Sequence, residues 1–179
     1  MWLLFTNNIN LIAKNSMKKL LFVLAIIAGT AFTASAQSSS TGHFSIGFDG
    51  GFPVGSSSDV YSVVLGGNLK YEQPIASATY FTVSAGYSSL KVKDVFGGGS
   101  LGYVPLKAGI KYYFNGAGFY GEGQLGAAIS TESGGGTAFA YSPGIGYTID
   151  GGFDLGVRYE GWSKNGTFSQ IGFRVGYNF

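Results

Sequence analysis

The residue types that could do chemistry are few. His43 is the single histidine of the chain, with Ser45 two residues and Asp49 six residues beyond it. Ser, His and Asp together could form a nucleophilic triad, in which the imidazole must reach both partners by hydrogen bonds. On an extended strand, alternate residues lie ~6.6–7 Å apart along the chain, too far for such contacts between successive positions on one face. A lone histidine among scattered carboxylates is also a poor donor set for a transition metal. The absence of cysteine excludes disulfides and thiolate ligands, together with acylation of the lipoprotein kind. Gly121-Glu122-Gly123-Gln124-Leu125-Gly126 spells the dinucleotide-binding G-x-G-x-x-G, but that motif needs a helix N-terminus behind it to hold a pyrophosphate, and a strand pattern surrounds it here. Asn165-Gly166-Thr167 fits a glycosylation acceptor and reads more simply as a turn. No catalytic, cofactor-binding or metal-binding residue is therefore assigned, and the expectation is a protein that is not an enzyme and needs no cofactor.

A more informative chemistry lies in the placement of charge. Asp49, Glu72, Glu122, Asp154 and Glu160 are matched by Lys70, Lys107, Lys111, Arg158 and Arg174, and all ten alternate with apolar residues. The final segment has the pattern most clearly: Ile171, Phe173, Val175, Tyr177 and Phe179 against Gln170, Gly172, Arg174, Gly176 and Asn178. Such period-two alternation is the mark of strands with two unlike faces. Eight segments carry it, at about 43–52, 60–72, 79–88, 103–114, 119–130, 137–149, 153–160 and 170–179. Their length suits strands tilted across a bilayer. The connections at 72–78, 115–118 and 150–152 are tight and turn-rich, with Asn-Gly and Asp-Gly as in hairpins. Those at 53–59, 88–102, 131–136 and 162–167 are mostly longer and more polar. These features predict an all-β fold, an eight-stranded antiparallel up-and-down transmembrane β-barrel.

Charge decides which face is outside. None of the mature charges falls on the apolar face, where one at the bilayer midplane would cost about 2–4 kcal/mol. The polar face is rich in Gly and Ser, which suit a crowded lumen. On the apolar face, Phe44, Phe52, Tyr61, Tyr71, Tyr87, Phe114, Phe119, Phe139, Tyr159 and Phe179 gather near segment ends, and aliphatics such as Val83 and Leu125 hold the middles. That is the expected girdle around an apolar band. A soluble barrel would place the apolar face inward and carry more charge outside. An eight-stranded barrel is narrow enough for side chains to fill it, and buried charges persist when paired. The ten charges are expected to form a salt-bridged network that plugs the lumen.

Composition agrees. Only 11% of residues are charged while 16% are aromatic, so the chain suits a membrane, yet no long apolar run lies beyond the N-terminal region. From Met17, Lys18 and Lys19 precede an apolar stretch and then Ala34-Ser35-Ala36, the plan of a cleavable export signal leaving Gln37 as the new N-terminus. Residues 1–36 are thus read as an extension plus signal peptide, with Met17 the expected start, and 37–179 as one barrel domain. The mature part keeps eight Lys and Arg against nine Asp and Glu, which leaves no basic footprint for nucleic acid.

On these residues the chain resembles the small outer-membrane barrel families: the OmpA transmembrane domain, OmpX, and the outer-membrane β-barrel or porin-family group. The resemblance covers about residues 41–179 and includes the ending Arg174-Val175-Gly176-Tyr177-Asn178-Phe179. It implies that Phe173, Val175, Tyr177 and Phe179 form a C-terminal assembly signal, with outer-membrane lipid, periplasmic chaperones and the barrel-assembly machinery as partners. Such families share architecture and differ in task. Two functions follow as expectations for a bacterial outer-membrane protein: a structural or surface-interaction role through the longer connections, or a small porin or gated channel for ions and small solutes. A lipid-modifying enzyme and a soluble lipocalin-like binder rank below both.

Overall fold

Alternation becomes strand pairing along the whole described chain. The computed structural model describes residues 41–179; the expected leader, with Ala34, Ala36 and Gln37, lies outside the described residues. Eight strands follow one another: β1 (His43–Pro53), β2 (Tyr61–Ala76), β3 (Thr79–Val92), β4 (Ser100–Tyr113), β5 (Phe119–Ser130), β6 (Thr137–Thr148), β7 (Phe153–Ser163) and β8 (Thr167–Asn178). Each pairs antiparallel with its sequence neighbours, and β1 pairs with β8 to close the barrel. The seam runs from Ser45 opposite Asn178 to Pro53 opposite Gln170. Reciprocal bonds between Phe44 and Phe179, at 3.2 and 2.8 Å, extend it to the last residue. Closure satisfies the edge groups of β1 and β8, which an open sheet would leave unpaired. The all-β, eight-stranded antiparallel up-and-down barrel is the observed fold.

Both termini of the barrel and the connections after β2, β4 and β6 lie at one end, the terminal end. The other four connections lie at the opposite, loop end. Turn chemistry explains the tight set. Gly151 and Gly152 both take φ +97, and a Cβ on Gly152 would sit 2.8 Å from the Asn178 carbonyl oxygen, so only glycine fits there.

Several boundaries differ from the sequence expectation, the larger shifts because strands continue farther than their alternation suggests. β3 and β4 run on to Val92 and from Ser100, so 88–102 shrinks to 93–99, which includes a 3-10 turn at Asp94–Phe96. Ser163 pairs with Thr167, so 162–167 reduces to a turn at 164–166. Pro53 remains in the ladder, so the expected 53–59 connection becomes 54–60, which contains a helical turn, α1 (Ser57–Val60). At the terminal end, β2 extends to Ala76, leaving 77–78 as the turn.

The faces divide sharply. Phe48, Phe52, Leu65, Leu69, Val83, Leu125, Ile145 and Val175 all lie exposed on the outer wall. Inside, Lys111, Glu72 and Asp154 are 0% exposed. One aromatic departs from the expected girdle. Tyr61 turns inward against the buried cluster and the Phe168 ring, because a bulge between Tyr61 and Val63 inserts an extra residue and reverses the alternation.

Candidate functional site

Period-two geometry puts residues i and i+2 of a strand side by side on the same face. Lys70 and Glu72 on β2 form an ion pair at 2.8 Å in this way, as do Arg158 and Glu160 on β7, also at 2.8 Å. These local pairs are then joined across the barrel. Lys111 on β4 lies 3.1 Å from Glu72 on β2 and 3.1 Å from Asp154 on β7. Arg174 on β8 meets the other oxygen of Asp154 at 2.8 Å. Lys70 also reaches Glu122 on β5 at 3.2 Å. The outcome is a terminal-end cluster in which Glu72, Glu122 and Asp154 balance Lys70, Lys111 and Arg174.

A second cluster lies toward the middle. Lys107 on β4 meets Glu160 at 3.1 Å, and Arg158 meets Asp49 on β1 at 3.0 Å. Asp49 and Glu160 thus balance Lys107 and Arg158. Each cluster is neutral by itself, which matters because an uncompensated buried charge is far more costly than a matched pair. Asn68 joins the two: its amide donates to Asp49, and its oxygen accepts from Arg174 Nε at 3.3 Å.

Neutral groups complete the terminal-end cluster. The Tyr120 hydroxyl donates to Asp154 at 2.9 Å, and Thr148 donates to the other carboxylate oxygen at 3.0 Å. The Lys111 ammonium stands 3.9 Å from the centre of the Tyr120 ring, a cation–π contact. Ser45 accepts from Arg174 Nη2 at 2.8 Å. Gly47 leaves room for that arginine, since a Cβ there would lie 2.7 Å from its Nε. The would-be triad is dispersed among these contacts: His43 stands 3.3 Å from Glu72, Ser45 bonds Arg174 and Asp49 is ion-paired with Arg158. Gly121 to Gly126 lie within β5, with no helix after them.

All ten charges singled out by alternation therefore line the lumen and are joined in two groups. Sequence reasoning overlooked Asn68 and Tyr120 as members, and it overlooked what lies above them. At the loop end, buried Val64, Leu90, Ala128, Ala138, Ala140 and Trp162 form an apolar layer, with Tyr61, Leu101, Tyr103 and Phe168 packed against it. Except for Tyr61, these residues share the alternation of the polar face, so their parity was a usable signal. Trp162 joins the layers, its indole N–H donating to Glu160 at 2.9 Å. Between the clusters, the polar interior holds two cavities of about 20 Å³ each, each about the size of a single water. Phe173, Val175, Tyr177 and Phe179 lie on the exposed outer face at the barrel seam.

No protein-family model matches the chain, and no curated protein matches it in sequence. Solved structures do. The outer membrane protein Ail of Yersinia pestis, in a phospholipid nanodisc, is 20% identical, with a TM-score of 0.54 over 77% of this chain and 99% of its own. The N-terminal β-barrel domain of Pseudomonas aeruginosa OprF is 16% identical, with a TM-score of 0.55 over 76% and 97%. A de novo designed transmembrane β-barrel is 12% identical, with a TM-score of 0.51 over 76% and 95%. At such identities the likeness is one of fold, and the designed barrel carries the same architecture with no inherited task.

Proposed function

We propose that the chain is an exported, non-enzymatic protein of the bacterial outer membrane. Its barrel would span the bilayer with its lumen closed by paired charges, and it would act structurally or through surface contacts of its loop end. The observation that carries this reading is the inversion of polarity: large apolar side chains cover the outer wall, and the charges are buried inside. Water around that wall would be as unfavourable as hydrocarbon around those charges. The fold shared with outer-membrane barrels supports it. On this reading, cleavage after Ala36 leaves Gln37 at the N-terminus. Phe173, Val175, Tyr177 and Phe179 are presented to chaperones and the assembly machinery, and outer-membrane lipid surrounds the apolar band. A surface partner would meet the connections 54–60, 93–99, 131–136 and 164–166.

Cross-lumen pairs and cavities of about 20 Å³ favour a closed barrel over a porin. Purified protein in planar bilayers should pass no steady ion current; sustained conductance would establish the channel instead. Membrane insertion is tested separately. Leu125, mid-strand on β5 and 59% exposed, should tolerate isoleucine, whereas Leu125→Arg should lose about 2–4 kcal/mol of folding stability in lipid. An arginine accepted there without cost would contradict a lipid-facing wall.

A further inference from the structure

The barrel mouth at the loop end is a bowl of about 340 Å³, a volume in the range of small-molecule sites. Its wall is a run of four touching rings: Tyr61 to Phe168 at 5.4 Å, Phe168 to Trp162 at 5.2 Å, and Trp162 to Tyr103 at 4.9 Å between centroids. Trp162, only 3% exposed, forms the floor, and its bond to Glu160 fixes the indole plane. The rings are therefore preorganised, which lowers the ordering cost of binding a flat apolar body. Neither the Tyr61 nor the Tyr103 hydroxyl has a hydrogen-bond partner among the described residues, so both are free to meet a ligand.

Charge makes the bowl selective. Lys164 is the one ionisable side chain besides the two phenols in its lining, and no carboxylate lines it. The lysine donates to the Gly135 carbonyl at 2.5 Å, which ties the 164–166 turn to the 131–136 connection and holds the ammonium over the rim. One of its three protons is used there, and two remain. The salt-bridged interior lies below the Trp162 floor and contributes balanced charge. Among the lining residues a cation would meet Lys164 with no acid to offset it, so an aromatic cage for quaternary ammonium groups is disfavoured.

We infer that the mouth of the barrel is a binding site for a small amphipathic anion, a planar apolar or aromatic body with one carboxylate or similar group. The body lies on Tyr61, Tyr103, Trp162 and Phe168, and the anionic group meets Lys164. The inference rests on the outer-membrane reading above, and because Leu125→Arg tests that reading by itself, a failure of insertion and a failure of binding are told apart.

The test uses the full chain with Trp2→Phe, which leaves Trp162 as the single tryptophan, in phosphatidylcholine nanodiscs. Three nitroaromatic quenchers of similar shape are titrated: 4-nitrobenzoate, 4-nitrobenzyl alcohol and 4-nitrobenzylamine. The benzoate should quench Trp162 saturably and bind about ten-fold more tightly than the alcohol, and the amine should not saturate. Lys164→Gln, a change at an exposed turn residue, should bring benzoate and alcohol within about two-fold of each other. Tyr103→Ala should weaken both. Equal, unsaturating quenching by all three, tighter binding of the amine, or an anion preference that survives Lys164→Gln would overturn the assignment. Because the readout is binding, a conducting or a non-conducting barrel gives the same result.

Discussion

The two ends of the lumen are built on the same strands and the same side-chain parity, yet they are filled by opposite means. The terminal end is closed by charge: Glu72, Lys111, Asp154 and Arg174 are locked together across four strands. The loop end is closed by hydrocarbon and rings, from Val64 and Leu90 to Trp162. Apolar burial is non-directional and grows with area removed from water, so the loop-end layer tolerates small changes of shape. Ion pairs demand particular partners at particular heights. Lys111 is satisfied only when β2 and β7 both stand at the right register, which makes the charged end a register lock. The difference teaches that alternation selects the side of a strand, while the chemistry placed there sets how strictly the barrel geometry must be kept.

The sharpest way to break the comparison is at the charged end. Lys111→Met takes one of two lysines from Glu72 and one of two cations from Asp154, leaving the cluster one buried negative charge in excess, and should cost about 3–5 kcal/mol, read as an earlier unfolding midpoint in urea and as loss of the heat-modified gel shift. If the cost is small, the charges are better solvated than their burial implies. Arg174→Glu should be at least as harmful, since it removes a cation and adds a fourth carboxylate to the cluster of Glu72, Glu122 and Asp154.

Smaller effects belong to the join between the layers. Trp162→Phe retains the ring and removes the indole donor to Glu160, so about 1.5–3 kcal/mol should be lost. Combined with Lys107→Met, the change should be non-additive by about 0.5 kcal/mol or more, because both residues serve Glu160. Leu90→Ala with Lys111→Met should instead add within about 0.5 kcal/mol; strong coupling would mean that the two ends behave as one unit. Least of all should be Tyr103→Phe, whose hydroxyl bonds nothing inside. Its stability should change by no more than about 0.5 kcal/mol, while affinity for the benzoate probe falls.

Much of this was legible beforehand. Alternation marked the ten lumen charges, the eight strands and the outward band, since the pleat is a local property of extended backbone. Strand ends were not, because pairing partners extend a strand past the point where its own pattern fades, as at Ser163 and Thr167. Tyr61 misled for a related reason: a bulge depends on the neighbouring strand and reverses parity without altering composition. Trp162, Leu90 and Tyr103 were visible as apolar residues of inward parity near the loops, but attention to charge alone passed over them.

Which side chains share a face was determined by the sequence alone through the period of two, and the confinement of charge to one face indicated which of the two is the interior. Which charge meets which was decided only by the closed barrel. Lys111 finds Glu72 and Asp154 from 39 and 43 residues away. Distances across a lumen follow from strand number, tilt and stagger taken together, and no single stretch of chain contains them.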